Sequence, residues 1–427
     1  MSQGEWPMAQ TLAQKILQAH TDDEIRGDGQ IVRCRLSGVL ANDITGPLAI
    51  KSFYGMGAAK VFDRDLIYLV MDHFTPQKDI DSANQVMVSR RFAREQDLTH
   101  YYEGGDCGVE HTLLPERGLV GPGDVLIGAD SHTCTYGGIA AFATGMGSTD
   151  IAAGMALGET WIKVPATIRV NITGEMGRWM RGKDLMLLLI KAIGVDGALY
   201  RALEFGGPVV DALPVEGRLT MSNMAIEAGG KAGLFAVDDL TRRYCAEHGR
   251  TGDIPDLRAD DGASYERVVD IDVTGQEPVV ACPHLPSNVK NVSQCRNLPV
   301  QQVVIGSCTN GRISDMRDAA EVLRGRKVAK HLRCVVLPST PAVWKQCLRE
   351  GLMEIFMDAG CIVGPCTCGP CLGGHMGILG DGERAIATTN RNFRGRMGSL
   401  DSEVYLSNPA VAAASAVAGE IRSPDQL

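Results

Sequence analysis

The stretch Leu66-Ile67-Tyr68-Leu69-Val70-Met71, followed at once by Asp72-His73-Phe74, sets the fold class of this chain. A short, wholly apolar run broken abruptly by polar residues fits a strand buried on both faces of a parallel sheet. The polar residues then lie where the strand ends. The arrangement recurs. Asp124 to Ile127 leads into Gly128-Ala129-Asp130-Ser131-His132-Thr133, and Gln302 to Ile305 leads into Gly306-Ser307-Cys308-Thr309-Asn310-Gly311. Ala385 to Thr389 leads into Asn390-Arg391-Asn392-Phe393. In α/β sheets sites form outside the carboxyl ends of strands, so four reactive strand ends predict one shared cleft.

Working outward, Thr11 to His20 has helical apolar spacing, Asp28 to Val39 reads as a strand, and a helix is expected to begin near Pro47. A Gly/Ala-rich helix is expected from Ser148 to Trp161, another from Ser314 to Leu323, and a buried strand from Arg333 to Leu337. Arg250 to Gly262 is polar and reads as a surface loop; Cys282-Pro283-His284-Leu285-Pro286 reads as an extended linker. A chain of 427 residues is too long for one core. Divisions near 164 and 284 give three α/β domains, 1–164, 165–284 and 285–427, the last carrying the clustered cysteines.

The totals exclude some functions. A net charge of −9 argues against a general binder of nucleic acid or membrane surfaces. The first residues are polar, and no apolar run approaches the roughly 18 residues of a membrane span. The 13 cysteines are odd in number and scattered, which argues against structural disulfides and for a reducing, cytoplasmic setting. Most of them are expected to be small buried hydrophobes.

Three thiols are different. Gly364-Pro365-Cys366-Thr367-Cys368-Gly369-Pro370-Cys371-Leu372-Gly373-Gly374-His375-Met376-Gly377 is too rich in Gly and Pro for a helix or strand. Cys368-Gly-Pro-Cys371 alone fits a redox dithiol, half of a zinc site, part of a cluster site, or thiols that bind nothing. Cys308 adds a third thiol at a strand end. Three thiolates can hold a cube-shaped iron–sulfur cluster while one iron keeps a position free of protein ligands, and such an iron acts as a Lewis acid. Arg391 and Arg396, five apart, offer two planar forks suited to a di- or tricarboxylate, with plain surface charge as the alternative. Asp72, His73, His111, Asp130, His132 and Glu227 are acid–base candidates, although a histidine after a buried strand is often only structural.

The ordered blocks around these residues resemble the aconitase superfamily. Besides those quoted they include Asn42-Asp43-Ile44-Thr45-Gly46-Pro47, Gly174-Glu175-Met176, Met221-Ser222-Asn223-Met224-Ala225-Ile226-Glu227 and Glu403-Val404-Tyr405-Leu406. The likeness covers nearly the whole chain, and is closest to the branch of isomerases acting on isopropylmalate and homoaconitate. It implies three α/β/α domains around a cleft that holds a [4Fe–4S] cluster on Cys308, Cys368 and Cys371. It further implies that His73 with Asp72 protonates a leaving hydroxyl, and that His111 with Asp130 and His132 with Glu227 organise a water. Ser131, Arg391 and Arg396 would bind substrate, with Asn223, Asn310 and Asn390 supporting cluster or substrate. Cys366 is an extra thiol expected to be a bystander, and Arg394 is expected to point to solvent.

The implied reaction is a dehydration followed by rehydration at the adjacent carbon. Isopropylmalate is the first substrate choice, with homoaconitate, dimethylmalate and other alkylmalates as alternatives. The chain ends without the swivelling domain that carries a catalytic serine in relatives, so a small partner subunit is expected to supply it. A cluster-free RNA-binding role and a zinc-stabilised scaffold are the readings of a different class.

Overall fold

The computed structural model describes residues 9–295 and 297–427. Three sheets organise it. Gly38–Asn42, Ile67–Val70, His100–Tyr102, Val125–Gly128 and Phe142–Gly145 build a parallel five-stranded sheet with Gly38–Asn42 at its centre. Thr167–Thr173, Ala202–Gly206, Ala232–Phe235 and Arg267–Asp272 form a parallel four-stranded sheet. A seven-stranded mixed sheet holds Gln302–Gly306 between Arg333–Leu337 and Arg384–Ala387, all parallel. The apolar run that opened the sequence is therefore a central parallel strand, and each of its four residues is buried.

Two expected elements divide. The predicted strand over Asp28 to Val39 is two strands in different sheets. Ile31–Arg35 alternates exposed and buried residues and pairs antiparallel with Glu159–Lys163, whereas Gly38–Asn42 is buried at every position. The change from alternating to continuous burial marks the move from a surface ribbon to a two-faced core strand. The helix predicted over Ser148 to Trp161 stops at Leu157, because Gly158 takes a left-handed conformation (φ +70°) and returns the chain into Glu159–Lys163.

Cys282 to Pro286 is a turn, where an extended linker was expected. It joins Val279–Ala281 to Val289–Asn291 in an antiparallel pair that already belongs to the third sheet. We propose to set the second domain division between Val273 and Pro278 for that reason. One apolar core runs from the second sheet into the third, joining Ile168, Val170 and Leu203 to Val304, Ala385 and Leu406; most of the first sheet packs in a separate core. Asp184 adds a polar tie by accepting hydrogen bonds from the Val279 amide at 2.9 Å and Asn408 Nδ2 at 2.8 Å.

Candidate active site

The carboxyl ends of Ile67–Val70, Val125–Gly128, Gln302–Gly306 and Arg384–Ala387 converge. Three of them, with the cysteine loop, supply the lining of a single cleft: Asp72, His73, Asp130, His132, Cys308, Cys368 and Cys371, together with Glu110, His111 and Arg396. Two glycines bring the thiol segments in. Gly306 has φ +148°, and a Cβ there would meet the Leu337 carbonyl oxygen at 2.5 Å. Gly373 has φ +70°, and a Cβ would sit 2.9 Å from the Arg396 carbonyl oxygen, so only glycine lets the loop lie against the arginine segment. The loop is also pinned across the cleft, since Cys368 N and Thr367 Oγ1 both donate to the Asp72 carbonyl, at 3.1 and 2.6 Å.

His73 stands between two carboxylates. Its Nδ1 lies 2.7 Å from Asp72 Oδ1 and 3.5 Å from Asp43 Oδ1, and Asp43 also accepts from the His73 and Phe74 amides. Burial disfavours the charged ring, yet Asp72 and Asp43 together raise its pKa well above the usual imidazole value. The paired carboxylates thus favour the charged form of His73. His111 is just as enclosed but is lowered: burial is the largest influence, and Asp130, 3.0 Å from Nε2, offsets it only in part. His132 contacts Asp130 and also Glu227, whose Oε1 is 2.9 Å from Nε2; burial and Arg391 oppose its charge, but the two acids raise it. Burial acts to raise Asp130, but hydrogen bonds from His111 and His132 leave it well below the carboxylate range.

The thiols sit among amides and cations. Asn223 Nδ2 and Asn390 Nδ2 donate to Cys308 Sγ at 3.2 and 3.3 Å. Cys371 is drawn toward the thiolate by a hydrogen bond from Cys368 and, against burial, by the Arg396 guanidinium, whose Nη2 is 3.9 Å away. Arg396 Nε is buried without a partner. Asn310 Nδ2 donates to Asp315 Oδ1 at 2.9 Å, and Arg391 Nε donates to Glu227 Oε1 at 2.8 Å. Ser131 is half-buried and lies outside the cleft lining. Cys366 lines a different hollow with Trp344 and Cys107, and Arg394 is exposed, its Nε on the Leu400 carbonyl at 3.0 Å.

Three residues of this region were absent from the sequence-based site. Asp43 is the second carboxylate on His73. Glu110 is buried in the lining, accepts from Asn42 Nδ2 at 3.0 Å, and leaves Oε2 unpartnered; burial, then Asp72 and Asp130, raise its pKa so that it keeps its proton. Lys183 is fully buried, and its Nζ donates to the Thr389 carbonyl beside Asn390. Burial lowers Lys183 to about 7, against the pull of Asp315, Cys371 and Asp184. Asp43 and Glu110 each adjoin residues already singled out, and Lys183-Asp184 is a charged pair within an apolar helix.

With this geometry in view, the profile of the Aconitase family (aconitate hydratase) matches residues 14–419. The chain belongs to the aconitase family. It is 82% identical over 420 residues to the 3-isopropylmalate dehydratase large subunit of Desulfovibrio desulfuricans, covering 98% of this chain and 100% of that one. It is 72% identical, with the same coverage, to the protein of that name from Nitratidesulfovibrio vulgaris, and 56% identical to that from Acetivibrio thermocellus. Among solved structures, Thermococcus kodakaraensis aconitase X (holo-form) has the same overall fold, with a TM-score of 0.55 at 15% identity over 95% of this chain and 94% of that one. The family implies an iron–sulfur cluster and hydro-lyase chemistry. No described helix is long and apolar enough to cross a membrane.

The thiols suit a cluster. Cys308, Cys368 and Cys371 line one cleft, and Cys368 is in hydrogen-bond contact with Cys371. A set of three soft thiolate donors fits a cube-shaped cluster that keeps one iron free of protein thiolates. The amide donors and the unpartnered Arg396 Nε supply the positive environment that sulfur anions require.

Proposed function

We propose that this chain is the large subunit of a hydro-lyase that converts 2-isopropylmalate to 3-isopropylmalate by dehydration and rehydration, a step of leucine biosynthesis. The observation that carries the reading is the union, in one cleft, of three thiols with a His73 whose charged form Asp72 and Asp43 favour, beside the hydrogen-bonded chain His111–Asp130–His132–Glu227. Near-identity over full length to relatives named for that activity supports the substrate. Homoaconitate and other alkylmalates are the alternatives within the same chemistry.

Cys308, Cys368 and Cys371 would hold a [4Fe–4S] cluster. When bound, it supplies an iron that polarises a hydroxyl and a carboxylate. The chain's own residues do the rest. His73, kept charged by Asp72 and Asp43, gives its proton to the departing hydroxyl, which cannot leave carbon as hydroxide at neutral pH. Asp130 accepts from His111 and His132 and fixes both rings, so the water that leaves and returns meets a fixed set of donors and acceptors. Arg396, with a free Nε, and Arg391, oriented by Glu227, bind the substrate carboxylates. Burial around Glu110 keeps it neutral, so it adds no third negative charge beside Asp72 and Asp130.

The base that removes the C–H proton is not among these residues. We assign it to a serine on a small partner subunit carrying the swivelling domain, consistent with the large-subunit names of the relatives. The test is an anaerobic assay of the reconstituted chain, with and without that subunit, on isopropylmalate, homoaconitate and dimethylmalate. Turnover that needs both chains and favours isopropylmalate is expected. Full turnover by the large chain alone, or equal rates on all three diacids, contradicts the assignment.

A further inference from the structure

Outside the cleft, one pair of thiols is arranged for chemistry that the dehydration does not use. Cys282 follows the strand Val279–Ala281, and Cys295 ends the short 3-10 turn Val292–Cys295 that succeeds Val289–Asn291. The antiparallel pairing of the two strands brings the sulfurs to 3.9 Å, a contact distance, with both thiols free. The loop backbone is held on both sides, by Cys282 N on the Asn288 carbonyl at 2.8 Å and Val292 N on the Pro278 carbonyl at 3.0 Å. A disulfide needs its sulfurs at about 2.0 Å, so this pair in contact has to close by less than the width of one atom.

The two thiols are unequal. Cys282 is half-buried and reachable, whereas Cys295 is 1% exposed. The hydrogen bond from Cys295 is the main influence lowering Cys282 to about 7, burial opposes it, and the nearby Lys290 ammonium helps. Glu403 acts the other way on Cys282, and Glu277 on Cys295. An accessible, thiolate-prone cysteine beside a buried resolving one is the arrangement that peroxides oxidise selectively.

We propose that Cys282 and Cys295 are a peroxide-reactive dithiol site that closes to a disulfide, distinct from the three thiols of the cleft. In the first step the Cys282 sulfur attacks one oxygen of a hydroperoxide. The S–O bond forms, the O–O bond breaks, and the leaving oxygen takes a proton to become water or an alcohol. In the second, the Cys295 sulfur attacks the sulfenic sulfur; the S–S bond forms, the S–O bond breaks, and water leaves with the Cys295 proton. Two thiols lose two electrons and the peroxide gains them. The site touches the arginine segment, because Asn392 Nδ2 donates to the Cys282 carbonyl at 2.9 Å.

Trypsin sites at Lys290 and Arg296 place the two cysteines on separate peptides, so the link is directly visible in a digest. The full chain is treated with hydrogen peroxide, its remaining thiols are alkylated, and the digest is mapped by mass spectrometry. A Cys282–Cys295 link is expected, lost on reduction and absent when the chain is unfolded in urea before treatment. In Cys295→Ser the link disappears and Cys282 is trapped as a sulfenic acid by dimedone; in Cys282→Ser neither product forms. The proposal is overturned if both cysteines remain alkylated at a peroxide dose that oxidises glutathione, or if the unfolded chain gives the same link. The Cys282–Cys295 link is scored on its own peptides, so it is read separately from any disulfide among the cleft thiols and from turnover.

Discussion

The two walls of the cleft carry opposite chemistry. On the wall formed by the first sheet, carboxylates and imidazoles alternate: Asp43, Asp72 and His73, then His111, Asp130 and His132. On the wall formed by the third sheet, thiols face neutral amides and cations: Cys308 with Asn223 and Asn390, and Cys371 with Arg396, over the buried Lys183. In the proposed function the first wall holds and moves protons, and the second holds sulfur anions. Within the first wall, His73 and His111 share the same burial but shift in opposite directions. Two carboxylates serve His73, while His111 competes with His132 for one. With both rings buried, Asp72 and Asp43 favour the charge on His73, while burial and the neighbouring His132 outweigh the acids at His111.

Substitutions separate the walls by what they remove. His73→Gln takes away the proton donor and is expected to lower kcat by roughly 10²–10⁴-fold with iron content unchanged. Asp72→Asn keeps the ring but removes one of its acids. His73 then deprotonates at lower pH, so the alkaline limb of kcat/KM moves to lower pH in a pH–rate profile. Asp130→Asn unfastens both other rings and is expected to cost on the order of 10²-fold in kcat, again with iron retained. Arg396→Lys loses a fork but not a charge and is expected to raise KM about tenfold, the equivalent of one charged hydrogen bond near 1.5 kcal/mol.

A further effect is on stability. Lys183 is lowered to about 7 in the folded chain from a usual 10.5. The unfolded chain therefore binds more protons between those values, and stability rises with pH across that window and is lost as pH falls through about 7. Urea midpoints of the cluster-free chain at pH 7 and 9 are expected to show a smaller upward change for Lys183→Met than for the unaltered chain. Equal changes would mean that Lys183 does not titrate there.

Much of this was legible in the sequence, for a physical reason. Buried parallel strands read as unbroken apolar runs, so Leu66 to Met71 and Gln302 to Ile305 announced both the sheets and the reactive ends that follow them. The limits of the strands were less legible. The strand across Leu36-Ser37 had to be divided because two adjacent apolar stretches belong to different sheets, which local pattern does not reveal. Asp43, Glu110 and Lys183 escaped notice because their roles arise from contacts across the fold. Asp43 reaches His73 thirty residues on, and Lys183 meets Thr389 from another domain. Asp315, five residues along from Asn310, accepts from its amide, a contact the motif did not suggest.

The division of labour between the walls is tested most directly by iron and sulfide analysis of anaerobically reconstituted chains, with the absorbance spectrum recorded alongside. The unaltered chain and His73→Gln are both expected to hold about four irons per chain with broad visible absorbance, while Cys308→Ser holds neither. Equal iron in Cys308→Ser, or loss of iron in His73→Gln, would contradict the assignment of the thiols to the cluster and of the histidine to the proton.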